Sequence, residues 1–268
     1  MLSTLRFVNT LKLEFLAGKY SVLDKRWVCE ERTFAFTRLY YIYSGSGVLS
    51  CGGENITMKP GNMYLLPANL PVSYYCPEYM EQLFFHVTLN VPEGFDMLSG
   101  IPKICQIPCT QGFLTQLKEL CHSEDYGQLL KFKTLVSQNV ADCLLAENIP
   151  FPIKPYSQEI LQVMTYMQSN ITVQLSGEQI AKAVRISPST LYRRFKAETG
   201  LSLGAYQDKL IFYRAIQLLA EQELSLKEIS QQLGFCDQYY FSRRFKAQTG
   251  KTPSHYRKII LHSQNVKL

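Results

Sequence analysis

The chain has 268 residues, 46% hydrophobic and 19% charged, with 15 Gly and 12 Pro. That composition excludes a disordered, fibrous or membrane-embedded protein and suits about two globular domains. The net charge of +6 is unevenly divided: residues 1–150 carry 12 Lys and Arg against 14 Asp and Glu, whereas residues 151–268 carry 16 against 8. The positive excess therefore lies wholly in the C-terminal part, where a surface for nucleic acid, acidic protein or lipid would place it.

Arg6, Lys12, Glu14 and Lys19 interrupt the apolar residues of the N-terminus, and no small-residue cleavage signature follows. No later run approaches the ~20 apolar residues of a spanning helix, so a cytoplasmic protein is expected. Eight scattered cysteines fit free thiols in a reducing compartment. The tightest group, Cys105, Cys109, Cys121 and His122, lacks a CxxC knuckle and reads as packing, so neither metal nor cofactor is expected.

From about Arg32 to Val91, short runs rich in Tyr, Val, Ile, Phe and Leu alternate with turn residues such as Ser44-Gly45-Ser46-Gly47, Cys51-Gly52-Gly53 and Pro60-Gly61-Asn62. Strands at this spacing predict a sandwich or barrel. Between Gln111 and Asn148 the apolar residues recur at three- and four-residue steps, predicting two helices. On the second, Leu129, Phe132, Val136 and Cys143 have coiled-coil spacing, with the polar Asn139 on the same seam. That stripe predicts the contact of a homodimer, with packing on its own barrel as the alternative. Three prolines between Asn148 and Tyr156 mark a linker.

Helical signals with identifiable caps follow. Ser225-Leu-Lys-Glu228 reads as a capping box, Ser187-Pro188 and Thr252-Pro253 as N-caps with Pro in the first turn, and Gly200 and Gly250 as left-handed stops. Within this region RRFKAETG at Arg193–Gly200 recurs as RRFKAQTG at Arg243–Gly250, offset by 50 residues. The correspondence extends outwards: Ile180 and Val184 answer Ile229 and Leu233, Ile186 answers Phe235, Leu191 answers Phe241, and Tyr206 answers Tyr256. Two copies of one supersecondary unit are expected, each a short helix (177–184; 226–233), a turn and a second helix (188–199; 238–249). With Leu191 and Phe195, or Phe241 and Phe245, turned to the core, the opposite faces carry Ser189, Tyr192, Arg193 and Lys196, or Gln238, Ser242, Arg243 and Lys246. These side chains supply the donors that base edges and phosphates need; the plainer reading is a pair of solvated faces. A helix from Ser202 to about Glu221 joins the copies. Its ~30 Å approaches the 34–36 Å turn of B-DNA, so both second helices can reach successive major grooves.

QIAKAVRISPSTLYRRFKAETG and IS..LGFCDQYYFSRRFKAQTGKTPSHYR, with Ala215 and Leu218-Leu219 between them, resemble the double helix-turn-helix domain of the AraC/XylS transcription regulators over about residues 157–260. The resemblance implies a seven-helix DNA-binding domain whose third and sixth helices enter the DNA. By position, Ser189, Tyr192, Arg193, Gln238, Tyr239, Ser242 and Arg243 would face bases, and Arg194, Lys196, Arg244 and Lys246 would meet phosphates. The N-terminal half, with its Gly…Pro-Gly…Leu-Leu-Pro rhythm, more weakly resembles the cupin-like sensor domain of the same family. A metal-dependent cupin needs clustered histidines, and the barrel region holds only His86.

The expected architecture is thus β then α: a cupin-like β-barrel with two following helices (1–148), a linker (149–156) and a seven-helix domain (157–268). Its expected function is that of a ligand-responsive, sequence-specific regulator on double-stranded DNA, meeting RNA polymerase if it activates. Trp27, Tyr40, Tyr41, Tyr43, Tyr64 and His86 can line a pocket for a sugar or another small polar molecule. A barrel filled by its own side chains would instead serve dimerisation or protein contact. An enzyme is disfavoured, because four histidines in the whole chain leave little from which to build a catalytic site.

Overall fold

The computed structural model describes Val8 and residues 11–34, 36–90, 96–148, 156–221, 223–249 and 251–262. Backbone contacts divide it into two compact units, one built on Leu13–Thr88 and Met97–Phe151, the other mainly on Pro152–His262. The expected linker lies almost wholly outside the described residues.

In the first unit nine strands run in chain order among the described residues: β1 (Lys12–Asp24), β2 (Val28–Arg32), β3 (Thr37–Gly45), β4 (Gly47–Cys51), β5 (Glu54–Met58), β6 (Asn62–Leu66), β7 (Val72–Tyr75), β8 (Tyr79–Asn90) and β9 (Cys105–Pro108). They form a five-stranded sheet of order β1-β8-β3-β6-β9 and a four-stranded sheet of order β2-β7-β4-β5. The strands therefore make two facing sheets and not one closed hydrogen-bonded barrel. Gly52 and Gly53, at φ 58° and 84°, close the β4–β5 hairpin in the geometry that two-residue loops require. Tyr40, Ile42, Tyr64, Leu66, Met80 and Phe84 from the larger sheet meet Leu49, Met58 and Val72 from the smaller one in a single core.

The alternation of β3 sends its odd residues the other way. Tyr41 lies against Phe113, with ring centroids 6.1 Å apart, and the Tyr43 hydroxyl donates to the Leu114 carbonyl at 2.8 Å. Both partners belong to α1 (Gln111–Leu120), which is followed by α2 (Tyr126–Ala146). The larger sheet is thus covered on both faces, which explains why most of β3 is buried although its sequence does not alternate in polarity.

The stripe expected to meet a second copy is turned inward. Val136 and Cys143 are fully buried within their own chain, and Phe132 packs against Phe15 and Phe85 at 5.4 and 5.3 Å. Asn139 lies on the same side, its Oδ1 3.8 Å from the Cys109 thiol. The apolar spacing of α2 is satisfied by the adjoining sheet, and of the four expected seam residues only Leu129 remains exposed, at 38%.

The second unit contains, among the described residues, seven helices: α3 (Gln158–Ser169), α4 (Gly177–Ala183), α5 (Pro188–Thr199), α6 (Leu203–Ala220), α7 (Leu226–Gln232), α8 (Gln238–Thr249) and α9 (Pro253–His262). Their starts follow from the caps. Ser187 accepts from the Thr190 amide with Pro188 in the first turn, and Ser225 and Glu228 form a reciprocal capping box. A second box, Ser176 with Gln179, has a glutamine where the commoner motif has glutamate. Gly200 stops α5 at φ 76°, whereas Gly250 lies outside the described residues.

Candidate nucleic-acid interface and ligand pocket

The two copies of the repeat fold alike down to single contacts. Phe195 meets Tyr206 edge-on at 5.2 Å, and Phe245 meets Tyr256 edge-on at 5.2 Å. Thr199 and Thr249 each donate back to the phenylalanine carbonyl four residues earlier, at 2.7 and 2.8 Å. Burial of Leu191, Phe195, Phe241 and Phe245, each contributing about 1.5–3 kcal/mol, fixes which face of α5 and α8 points outward. The second helix of each helix-turn-helix is thereby locked by its own core.

The two copies are also tied to each other. α6 joins them over 18 residues, about 27 Å. In addition, the Val173 amide donates to the Leu233 carbonyl at 3.0 Å, and the Gln174 side-chain amide donates to the Gly234 carbonyl at 3.0 Å. The Gln207 amide bridges back to the Thr172 and Leu175 carbonyls at 2.8 and 3.0 Å. The turn of the second motif therefore rests on the loop that precedes the first, so α5 and α8 are displayed from one body.

On the outward faces Ser189, Tyr192, Arg193 and Lys196 are exposed, as are Tyr239, Arg243 and Lys246, while Gln238 and Ser242 are half-buried. The Tyr192 ring leans over the start of α4: a Cβ on Gly177 would come within 2.0 Å of its hydroxyl, so a glycine there gives the ring its place. Arg243 lies 5.8 Å from the Tyr240 ring. Asp237 accepts from the Tyr239 and Tyr240 amides, both at 2.7 Å. These amides, first among them that of Tyr240, lower its carboxyl pKa, and it caps α8 as an anion.

Arg194 and Arg244, expected at phosphates, are instead engaged inside the domain. Arg194 pairs with Glu159 at 3.5 Å and Glu198 at 3.4 Å, and Glu198 also accepts from the amide and hydroxyl of Ser157 at the start of α3. Arg244 pairs with Asp208 of α6 at 2.5 Å. The second arginine of each motif copy thus pins its helix to a neighbour, whereas the first arginine and the lysine are exposed on the outward face.

The expected pocket residues in the first unit separate by face. Trp27, Tyr40 and Tyr64 belong to the core between the sheets, whereas Tyr41 and Tyr43 lie on the opposite side of β3 and cannot line the same site. Trp27 stacks on Tyr74 at 4.2 Å and meets Tyr40 edge-on at 6.0 Å. The Tyr64 hydroxyl is already committed to the Lys59 amide and the Thr57 carbonyl. His86 stacks on Phe36 at 4.2 Å, and burial, aided by the nearby Arg38 charge, lowers its pKa to about 3, so it is neutral.

Arg38, absent from the expected set, stands beside His86 in the β3–β8 register and is only 1% exposed. Its signal in the sequence was a charge at the head of the apolar run LYYIY. An open groove of about 540 Å³ lies on the other face of the larger sheet, lined by Phe15, Tyr20, Phe85, Cys121, His122 and Phe132 among others. Among the described residues no cluster of His, Cys, Asp or Glu is placed to hold a metal ion, and no helix is long and apolar enough to cross a membrane.

A β-sandwich followed by a rigid pair of helix-turn-helix motifs defines a two-domain, DNA-binding regulator. The chain matches the AraC-like ligand binding domain family over residues 21–131 and a helix-turn-helix domain family over residues 180–259. It is 24% identical to the Msm operon regulatory protein of Streptococcus mutans over 83% of this chain and 84% of that one. It is likewise 24% identical to the lactose operon transcription activator of Staphylococcus xylosus, over 82% of each chain. Its fold is similar to that of ToxT from Vibrio cholerae, with a TM-score of 0.56 at 17% identity, covering 91% of this chain and 99% of that one. The protein belongs to the AraC family of transcriptional regulators, with an N-terminal ligand-binding domain and a C-terminal helix-turn-helix DNA-binding domain.

Proposed function

We propose that this regulator inserts α5 and α8 into successive major grooves of one DNA face and that a sugar-like effector held between its sheets controls that binding. The observation that carries the proposal is the matched exposure of Arg193 with Lys196 and of Arg243 with Lys246 on helices displayed from one body. Ser189, Tyr192, Arg193, Gln238, Tyr239, Ser242 and Arg243 supply the base contacts, and Lys196 and Lys246 the phosphate contacts. The names of the relatives, which concern the Msm and lactose operons, support a carbohydrate effector and an activating role exerted through RNA polymerase.

In this reading the sensor spans residues 1–148, the DNA-binding domain 157–268, and the protein works in the cytoplasm as a homodimer. With Phe132, Val136 and Cys143 committed to their own sheet, the dimer must use other residues, and Tyr126, Leu130 and Leu145 are exposed on α2. Titrating DNA binding against salt tests the reading, since each lysine or arginine on a phosphate adds about 0.9 to the log–log slope. A slope near zero contradicts it. Binding that no carbohydrate alters would favour a sandwich that serves only dimerisation or protein contact.

A further inference from the structure

Arg38 is in an unusual position for a cation. It lies on the inner face of β3, in the same alternation as Tyr40 and Ile42, and its Nε and both terminal nitrogens are buried with no hydrogen-bond partner. The Phe34 ring covers one face of the guanidinium at 3.9 Å, and the Tyr74 ring lies 5.9 Å away. Stacking satisfies the π-face of a guanidinium but leaves its edge, where five N–H donors point in a fixed fork. No carboxylate pairs with Arg38 among the described residues. Its neighbours are uncharged: His86 is held neutral, and burial raises the Tyr40 and Tyr74 hydroxyls above their ordinary range. Buried ions in folded proteins are paired, because an uncompensated charge in a low-dielectric interior is strongly unfavourable.

We propose that the effector is an anion, and that its carboxylate or phosphate docks on the buried, unpaired edge of Arg38 between the two sheets. The geometry also indicates the rest of the ligand. Trp27 and Tyr74, stacked on each other at 4.2 Å, make the surroundings aromatic, the kind of side chain against which a pyranose packs, and the partnerless Nδ1 of buried His86 offers a neutral polar contact beside the cation. A sugar acid or a sugar phosphate matches both features. A neutral sugar would engage the N–H donors and leave the charge uncompensated, which is why the orphaned guanidinium selects for an anion.

This inference rests on the sensor reading above, and its test separates the two. The full-length protein is melted with D-glucuronate, D-galacturonate, glucose 6-phosphate or inorganic phosphate, and with glucose and galactose as neutral counterparts at equal ionic strength. At least one anionic sugar is expected to raise the melting temperature by about 3 °C or more while its neutral counterpart does not. A uronate response identifies a carboxylate ligand, and a glucose 6-phosphate response a phosphate one. Arg38→Met, of similar size and uncharged, is expected to melt no lower than the wild type and to lose the shift, and Arg38→Lys to retain part of it.

Stabilisation by a neutral sugar but by none of the anions overturns the anion assignment and leaves the sensor reading standing. Equal stabilisation of wild type and Arg38→Met by the same anion overturns it as well. So does the absence of any anion response combined with an Arg38→Met protein that melts several degrees lower, since Arg38 would then be a structural residue.

Discussion

Arg185 and Gly234 occupy the same place in the two helix-turn-helix turns, and both have positive φ, 58° and 78°. Glycine adopts that conformation freely, whereas a side chain there is strained by about 1 kcal/mol. Because Arg185 is exposed, Arg185→Gly is expected to stabilise the protein by about 0.5–1 kcal/mol, read as a higher urea midpoint. Gly234→Ala is expected to destabilise it by more than that, since the added Cβ would also come within 2.0 Å of the Thr172 hydroxyl. His86 makes a prediction of its own. Its folded pKa of about 3 lies below the ordinary 6.5, so between those values the unfolded chain binds the proton and the folded one does not. Its contribution is therefore intact above about pH 6.5 and declines on acidification, by up to about 1.4 kcal/mol per pH unit. Urea melts of wild type and His86→Phe between pH 4.5 and 7 should show a flatter profile for the variant; parallel profiles would mean that His86 titrates normally. At this scale the sequence was partly legible. Aromatic content pointed to the sandwich core, but only the two-residue alternation of β3 separates Tyr40 from Tyr41 and Tyr43. The orphaned charge of Arg38 cannot be seen until both sheets close over it.

At the scale of elements, the repeated RRFKA–TG motif divides into residues that build and residues that face outward. The phenylalanine and the threonine make the same intradomain contacts in both copies, the second arginine pairs with a carboxylate of a neighbouring helix in each, though not the corresponding one, and the first arginine and the lysine are exposed. Lys246→Ala is therefore expected to weaken binding to all DNA sequences alike and to lower the salt slope by about one unit. Arg244→Ala, which breaks the pair with Asp208, is expected to cost about 0.5–1 kcal/mol of stability and to leave that slope unchanged. A fall in slope for Arg244→Ala would return that arginine to the phosphates. The repeat, its caps and its core were readable because each is a local pattern. The partner of the α2 stripe was not, since coiled-coil spacing is the same whether the facing surface belongs to a second helix or, as here, to Phe15, Phe85 and the chain's own sheet.

For the whole molecule, the charge division noted in the sequence coincides with a division of labour. The near-neutral unit is the ligand-binding domain, and the basic unit displays α5 and α8, whose spacing is set by α6 and by the contacts of Thr172–Gln174 with the Leu233–Gly234 turn. That rigidity makes the central claim testable without knowing the natural operator. Selection of binding sites from a random-sequence DNA library with the full-length protein should yield, per protomer, two preferred blocks centred about 10–10.5 base pairs apart, one for each recognition helix. Arg243→Ala should relax preference at about one base pair within one block, by about 1–3 kcal/mol, and leave the other block intact. A single block, blocks at variable spacing, or an Arg243→Ala protein that loses both blocks equally would contradict the account of two helices held on one body that independently read successive major grooves.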